Sequence, residues 1–172
     1  MGLLWIIICA VLILFVLQYF FNYWNERIAT NKLLLLEPYI EDKTLYISND
    51  DIETDIDMIS HNEIKTINDN VYDTVIASFI VQYDKQYISE LLRISKKKII
   101  IMEDINDTES DKTWISYHKK ITGNNKFYLN TKQWLNLFEK MKLELEKTIE
   151  IDTQKFNILF PVSRKIFILN KK

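Results

Sequence analysis

The sequence predicts an α/β domain with a parallel crossover at its centre and an antiparallel strand at its C-terminus, preceded by one N-terminal transmembrane helix. Three observations carry this. The residues from Gly2 to Phe21 contain no charge. Two unbroken apolar runs, TVIASFIV (74–81) and IIIM (99–102), flank an amphipathic stretch of helical period. The chain ends in RKIFILNKK, a further run of strand character. The 172 residues suffice for one such domain, and a formal net charge of −2 makes no electrostatic case for nucleic acid. Only two glycines occur, Gly2 in the apolar N-terminus and Gly123 in a polar turn, so a glycine-rich loop cradling phosphate has no raw material.

GLLWIIICAVLILFVLQYFF (2–21) is long enough, at roughly 1.5 Å per helical residue, to cross a hydrocarbon core of roughly 30 Å. Trp5 at one end and Tyr19, Tyr23 and Trp24 at the other suit the membrane–water interfaces. A cleaved signal would show a basic start and small residues at its cleavage site; here no Lys or Arg precedes the span and bulky aromatics follow it. Myristoylation of Gly2 fails on pattern, because Ile6 stands where Ser or Thr is needed. Arg27 and Lys32 follow the span, which predicts a single-pass protein with a cytosolic C-terminal domain. The lone cysteine, Cys9, lies within the span, so the rest of the chain can form no disulfide and offers no thiolate to a metal. On the cytosolic side the sequon Asn106-Asp107-Thr108 is incidental. The expected organisation is an anchor at 1–24, a juxtamembrane helix and linker at 25–42 that stops near Pro38, and a domain at 43–172.

Within the domain, TLYIS (44–48) reads as a strand and NDDIETDID (49–57) as a solvated acidic loop, since it lacks the central Gly and terminal Glu of an EF-hand. The Asp55-Ile56-Asp57 pattern is too short to specify a metal site. DKQYISELLRIS (84–95) places Ile88, Leu91 and Leu92 on one helical face. Two buried strands joined by such a helix make a right-handed parallel crossover. Lys96, Lys97 and Lys98 then form a solvated turn favouring the dipole at the helix C-terminus, and Ile99 to Met102 form the buried strand. Glu103 and Asp104 fall at that strand's carboxyl end, where open α/β sheets place ligands. KTWISYHKK (112–120) reads as a loop or short helix, NTKQWLNLFEKMK (130–142) as an amphipathic helix capped by Asn130, and LELEKTIEI (143–151) as a strand.

The stretch YDTVIASFIVQYDKQYISELLRISKKKIIIMEDI (72–105) resembles the fourth strand, following helix and fifth strand of the class I S-adenosylmethionine-dependent methyltransferases. Asp73 stands where that family opens its strand, Leu91, Leu92 and Arg93 lie in the helix, Lys96 is in the turn, and IIIMED forms the next strand. The helix and two strands after residue 130 match the family's closing helix and antiparallel strands six and seven. The resemblance thus implies a reduced Rossmann-like, methyltransferase-like sheet with flanking helices over residues 43–172.

Before residue 70 the chain departs from the family. Ser48, Asn49 and Asp50 occupy the place of the glycine-rich cofactor loop. About 30 residues separate the start of the first strand from Asp73, where two full crossovers need roughly twice that. At least one helix and a strand are expected to be missing or reduced. No cofactor is therefore expected; were S-adenosylmethionine to bind, Asp50, Ser78, Glu103 and Asp104 are the residues placed to meet it. The resulting reading is a membrane-anchored, non-catalytic binding or scaffolding module. Two other classes stay open: an active methyltransferase with an atypical site, and a viral or organellar membrane structural protein, which the Lys-, Ile- and Asn-rich composition suits. The partners expected are the lipid bilayer and another protein, the latter meeting Glu103, Asp104, Trp114, Tyr117 and His118. His61 and His118 lack a second ligand at metal spacing, so neither a metal site nor a catalytic residue is assigned.

Overall fold

A computed structural model describes residues 9, 12–17, 20, 34–48, 54–82, 84–123, 126–151 and 162–172. The chain divides into two compact units, Met1–Tyr39 and Ile40–Lys172. In the first, residues 12–17 are helical and their apolar side chains are 47 to 68% exposed, and a 3-10 turn over Glu37–Tyr39 closes the unit. Among the described residues no helix is long and apolar enough to cross a membrane. Most of the expected span, Gly2 to Phe21, lies outside them.

The second unit is built on one six-stranded sheet. Its strands are β1 (Thr44–Ile47), β2 (Asp57–Ile59), β3 (Tyr72–Ser78), β4 (Ser95–Asp104), β5 (Leu143–Ile151) and β6 (Arg164–Lys171), in the spatial order β2-β1-β3-β4-β6-β5. The first four are mutually parallel, and β6 runs antiparallel between β4 and β5. Helix α1 (Tyr87–Ile94) links β3 to β4, while α2 (Glu109–Thr122) and α3 (Thr131–Lys140) separate β4 from β5.

The apolar runs became strands because both of their faces are buried. Val75, Ala77, Ile99 and Ile101 point into a core with Ile88, Leu91 and Ile94 of α1 and Trp134 and Phe138 of α3. Trp134, Phe138 and Phe167 form a compact aromatic group with ring centres 5.2 to 5.9 Å apart. The alternate residues Ile76, Ile100, Met102, Ile166 and Ile168 have no exposed surface either. A strand with no polar face is what a continuous apolar run demands.

Caps set the helix limits. Thr108 and Asp111 form a reciprocal capping box at the start of α2, and Asn130 with Gln133 does the same for α3. Helix α2 stops at Gly123, whose φ of 64° is the left-handed conformation that terminates helices. At fourteen residues α2 is longer than the loop or short helix expected there.

Two expectations need correction. Lys96 to Lys98 are not a turn: α1 ends at Ile94, and Ser95, already extended, opens β4 directly. Ion pairs allow lysines in a strand here. Lys97 lies 2.9 Å from Glu41 and 3.6 Å from Asp73, Lys96 lies 3.8 Å from Asp73, and Lys98 lies 3.4 Å from Glu146 on β5. The strand expected over 74–81 ends at Ser78, because Phe79 takes a φ of 55° and turns the chain out of the sheet. Ile80 and Val81 are apolar because they are buried in the core after the turn.

Reduction of the early part is real and has a definite form. A parallel β2 of three residues survives, and the described chain between β2 and β3 contains one short 3-10 helix, His61–Thr66. Of the acidic loop, residues 49–53 lie outside the described residues, and Asp57 belongs to β2.

Candidate functional site at the carboxyl end of the sheet

Topology selects one place on this sheet. From β1 the chain runs to β2 on one side, then returns to β3 on the other side of β1. The connections diverge there, and the carboxyl ends of strands beside such a divergence are the usual ligand position in open α/β sheets. Ser48 follows β1, Ser78 and the Phe79–Gln82 turn follow β3, and Glu103, Asp104 and Arg164 bring β4 and β6 to the same end.

The turn after β3 is held from several directions. Phe79 donates its amide to the Met102 carbonyl at 2.9 Å, and its own carbonyl accepts from Gln82 Nε2 at 3.1 Å. Glu103 Oε1 accepts from the backbone amides of Val81, at 2.8 Å, and Gln82, at 3.3 Å. The Gln82 carbonyl accepts from Phe127 N at 2.9 Å. A left-handed non-glycine residue is sterically unfavourable and persists where its surroundings over-determine it. These bonds are that over-determination.

Glu103 and Asp104 are both buried, with 0% and 7% exposure, which excludes a solvated charged pair opening a loop. They point to opposite faces of β4, as neighbours in a strand must. On one face, burial pushes the Glu103 carboxyl well above the usual carboxylate range and the adjacent Asp104 charge adds to this; the two amides and Lys126 oppose the shift and are outweighed. Among the described residues its Oε2 has no hydrogen-bond partner, and neither has Gln82 Oε1. On the other face, Arg164 Nε donates to Asp104 Oδ1 at 2.7 Å, and the guanidinium lies 5.0 Å from the centre of the Phe79 ring. Ser78 is buried beside Met102, its hydroxyl 4.0 Å from the sulfur.

A second polar group fixes the start of α2 and α3. Asp107 accepts from the amide and hydroxyl of Thr131 and from Lys165, which also pairs with Glu150 at 3.2 Å. Asp111 accepts from Ser163 N at 2.8 Å and from Thr108. Burial acts to raise both aspartates, but these donors prevail and hold them below the usual carboxylate range.

Trp114, Tyr117 and His118 all lie on α2. Tyr117 is 59% exposed and meets Trp114 edge to face, with 6.2 Å between ring centres. Among the described residues, the hydrogen bonds of Glu103 go to Val81 and Gln82 and that of Asp104 to Arg164, none of them on α2. Asp50 lies outside the described residues. Among the described residues no three His, Cys, Asp or Glu side chains converge as metal ligands. Sequence reasoning missed Phe79, Gln82 and Arg164. Gln82 carried a signal, as a polar residue closing an apolar run; Arg164 carried only its rarity, being one of three arginines with Arg27 and Arg93.

No protein-family model matches the sequence. No curated protein matches it either. Solved structures do resemble the fold. An S-adenosylmethionine-dependent methyltransferase of Thermotoga maritima is 13% identical, with a TM-score of 0.66 over 92% of this chain and 97% of that one. A methyltransferase of Methanosarcina mazei, described in the same terms, is 11% identical, with a TM-score of 0.56 over 80% of this chain and 96% of that one. Geranyl diphosphate C-methyltransferase from Streptomyces coelicolor, in complex with S-adenosyl-L-homocysteine, is 8% identical, with a TM-score of 0.52 over 68% of this chain and 54% of that one. At these identities the likeness shows the fold: the domain has the Rossmann-like architecture of the class I methyltransferases.

The expectation that no cofactor binds is overturned by this comparison, since a structure of the same fold carries S-adenosyl-L-homocysteine. Its error was physical. The short connection reduces the second strand to three residues without removing it: β2 stays parallel beside β1, with Leu45 opposite Asp57 and Ile47 opposite Ile59. The carboxyl ends of both strands remain together, and Ser48 N bonds to the Ile59 carbonyl there at 3.3 Å. Nothing in the fold or the likeness supports a non-catalytic scaffold or a viral structural role.

Proposed function

We propose that this chain is a membrane-anchored S-adenosylmethionine-dependent methyltransferase with an atypical cofactor loop. The observation that carries the reading is the divergence of the chain between β1 and β3, with the over-determined Phe79–Gln82 turn at its rim. S-adenosylmethionine, when bound, supplies a methyl group on its sulfonium. Ser48 and Ser78 stand at the carboxyl ends of β1 and β3, and Glu103 fixes the Phe79–Gln82 turn that follows β3. Support for the cofactor comes from solved structures of this fold, described as S-adenosylmethionine-dependent or holding its demethylated product. The uncharged residues from Gly2 to Phe21 support a single bilayer span, and the exposed apolar side chains of residues 12–17 agree with a lipid-facing helix. With Arg27 and Lys32 after the span, the domain lies on the cytosolic side and acts on an acceptor near the membrane surface. The exposed α2 face bearing Tyr117 is available to a protein partner.

Calorimetry with the full-length chain in detergent tests the enzyme reading. Micromolar binding of S-adenosylmethionine, and a melting temperature that rises with its concentration, are the expected results. Absence of binding at millimolar cofactor removes the reading; binding without methyl transfer to any acceptor reduces it to a binding module. The anchor is tested separately: the chain should resist alkaline extraction from membranes and leave them only with detergent.

A further inference from the structure

Arg164 does more than a structural ion pair requires. It opens β6 with 9% of its surface exposed, and its described contacts are the Nε bond to Asp104 and the face of Phe79. Together these two partners fix the plane of the guanidinium while engaging only the Nε–H. The terminal nitrogens have no acceptor among the described residues, yet they are not sealed from solvent as Glu103 Oε2 is. An arginine committed to holding two strands together gains most by meeting its carboxylate with two parallel bonds. Here the carboxylate is met from the side and the fork is left unspent. The aromatic surface that steadies it belongs to Phe79, the left-handed residue of the turn, and strain of that kind concentrates at ligand sites.

We propose that Arg164 is the oxyanion-binding residue of the acceptor subsite, taking a carboxylate or phosphate group of the molecule to be methylated through Nη1 and Nη2 while Asp104 and Phe79 hold its plane. The proposal rests on the methyl-transfer reading of this end of the sheet. Because Asp104 offsets the charge of Arg164, recognition depends on the planar fork and its hydrogen bonds more than on net charge. A lysine could not reproduce it.

The test uses the full-length chain in detergent micelles with isotope-labelled guanidinium groups. Three arginines give three sets of signals. Acetate and inorganic phosphate are titrated separately, which distinguishes the two oxyanions. The Arg164 signals should move saturably with one of them, while those of Arg93, already spent on Ile64, Ile67, Asp69 and Glu90, should not. Arg164→Lys keeps a cation opposite Asp104 and should fold; it should weaken the anion by about tenfold or more and leave S-adenosylmethionine affinity unchanged. An Arg164 signal indifferent to both anions, or one that moves only as Arg93 does, overturns the assignment. Weakened cofactor binding in Arg164→Lys also overturns it, placing the residue in the cofactor site. If the wild-type chain ignores S-adenosylmethionine but Arg164 still takes the anion, the methyl-transfer reading falls and the oxyanion subsite stands.

Discussion

Glu103 shows how one side chain ties a turn to pH. Its carboxyl is wholly buried, accepts two backbone amides, and has its pKa raised well above 4.5 by burial first and the Asp104 charge second. The charged groups acting on it are Asp104 and Lys126, with Arg164 engaged by Asp104. A folded-state pKa above the unfolded value means the native state holds the proton more tightly. The stabilisation from Glu103 is therefore complete below pH 4.5 and is lost as pH rises through the raised value. Asp107 and Asp111, held low by their donors, contribute in the opposite sense, and their contribution is lost as pH falls. Denaturant midpoints measured across pH should decline on the alkaline side for the wild type. The decline should flatten in Glu103→Gln, which keeps an acceptor for Val81 and Gln82 without a titrating proton. An equal decline in both proteins would assign the effect to another group.

Among the elements, α1 and the β2–β3 connection depend on one another through Arg93. Its terminal nitrogens donate to the carbonyls of Ile67 at 2.6 Å and Ile64 at 3.1 Å, and to Asp69 at 2.7 Å, while its Nε donates to Glu90 within α1. The described part of the connection has little regular structure of its own, with a 3-10 helix opened by the Ser60–Glu63 capping box. Arg93→Ala leaves two carbonyls without their donor and should cost about 1 to 2 kcal/mol. Hydrogen exchange should accelerate over residues 61–70 more than in β4. Arg93→Lys should not restore protection, because an ammonium cannot span carbonyls and a carboxylate as a planar fork does. Uniform acceleration across the sheet would contradict this local role. The resemblance had placed Arg93 in the family's helix, but the carbonyls it meets are 26 and 29 residues earlier and belong to no pattern of its own helix.

For the whole molecule, the decisive feature is a sheet whose central strands are buried on both faces. Ile100 is fully buried at the centre of β4, opposite Ile76 on β3 and Ile168 on β6. Ile100→Asp places an unpaired charge there, at a cost comparable with the roughly 5 to 15 kcal/mol that stabilises a domain. Cooperative unfolding should disappear, and a normally folded Ile100→Asp protein would refute the buried central strand. The parallel crossover, the cap at Asn130 and the antiparallel end were legible in the amino-acid order, because apolar period, capping residues and strand length are local properties of the chain. That order also placed Glu103 and Asp104 at a strand end, since counting along the apolar run suffices for that. That Lys96 to Lys98 belong to β4 depends on the folded chain, because their partners Glu41, Asp73 and Glu146 come from distant parts of the sequence. The tertiary structure likewise decided that β2 survives beside β1, that Phe79 leaves the sheet, and that Arg164 meets Asp104 sixty residues away. Such contacts are fixed by strand order and register, which join residues whose sequence neighbourhoods contain no sign of one another.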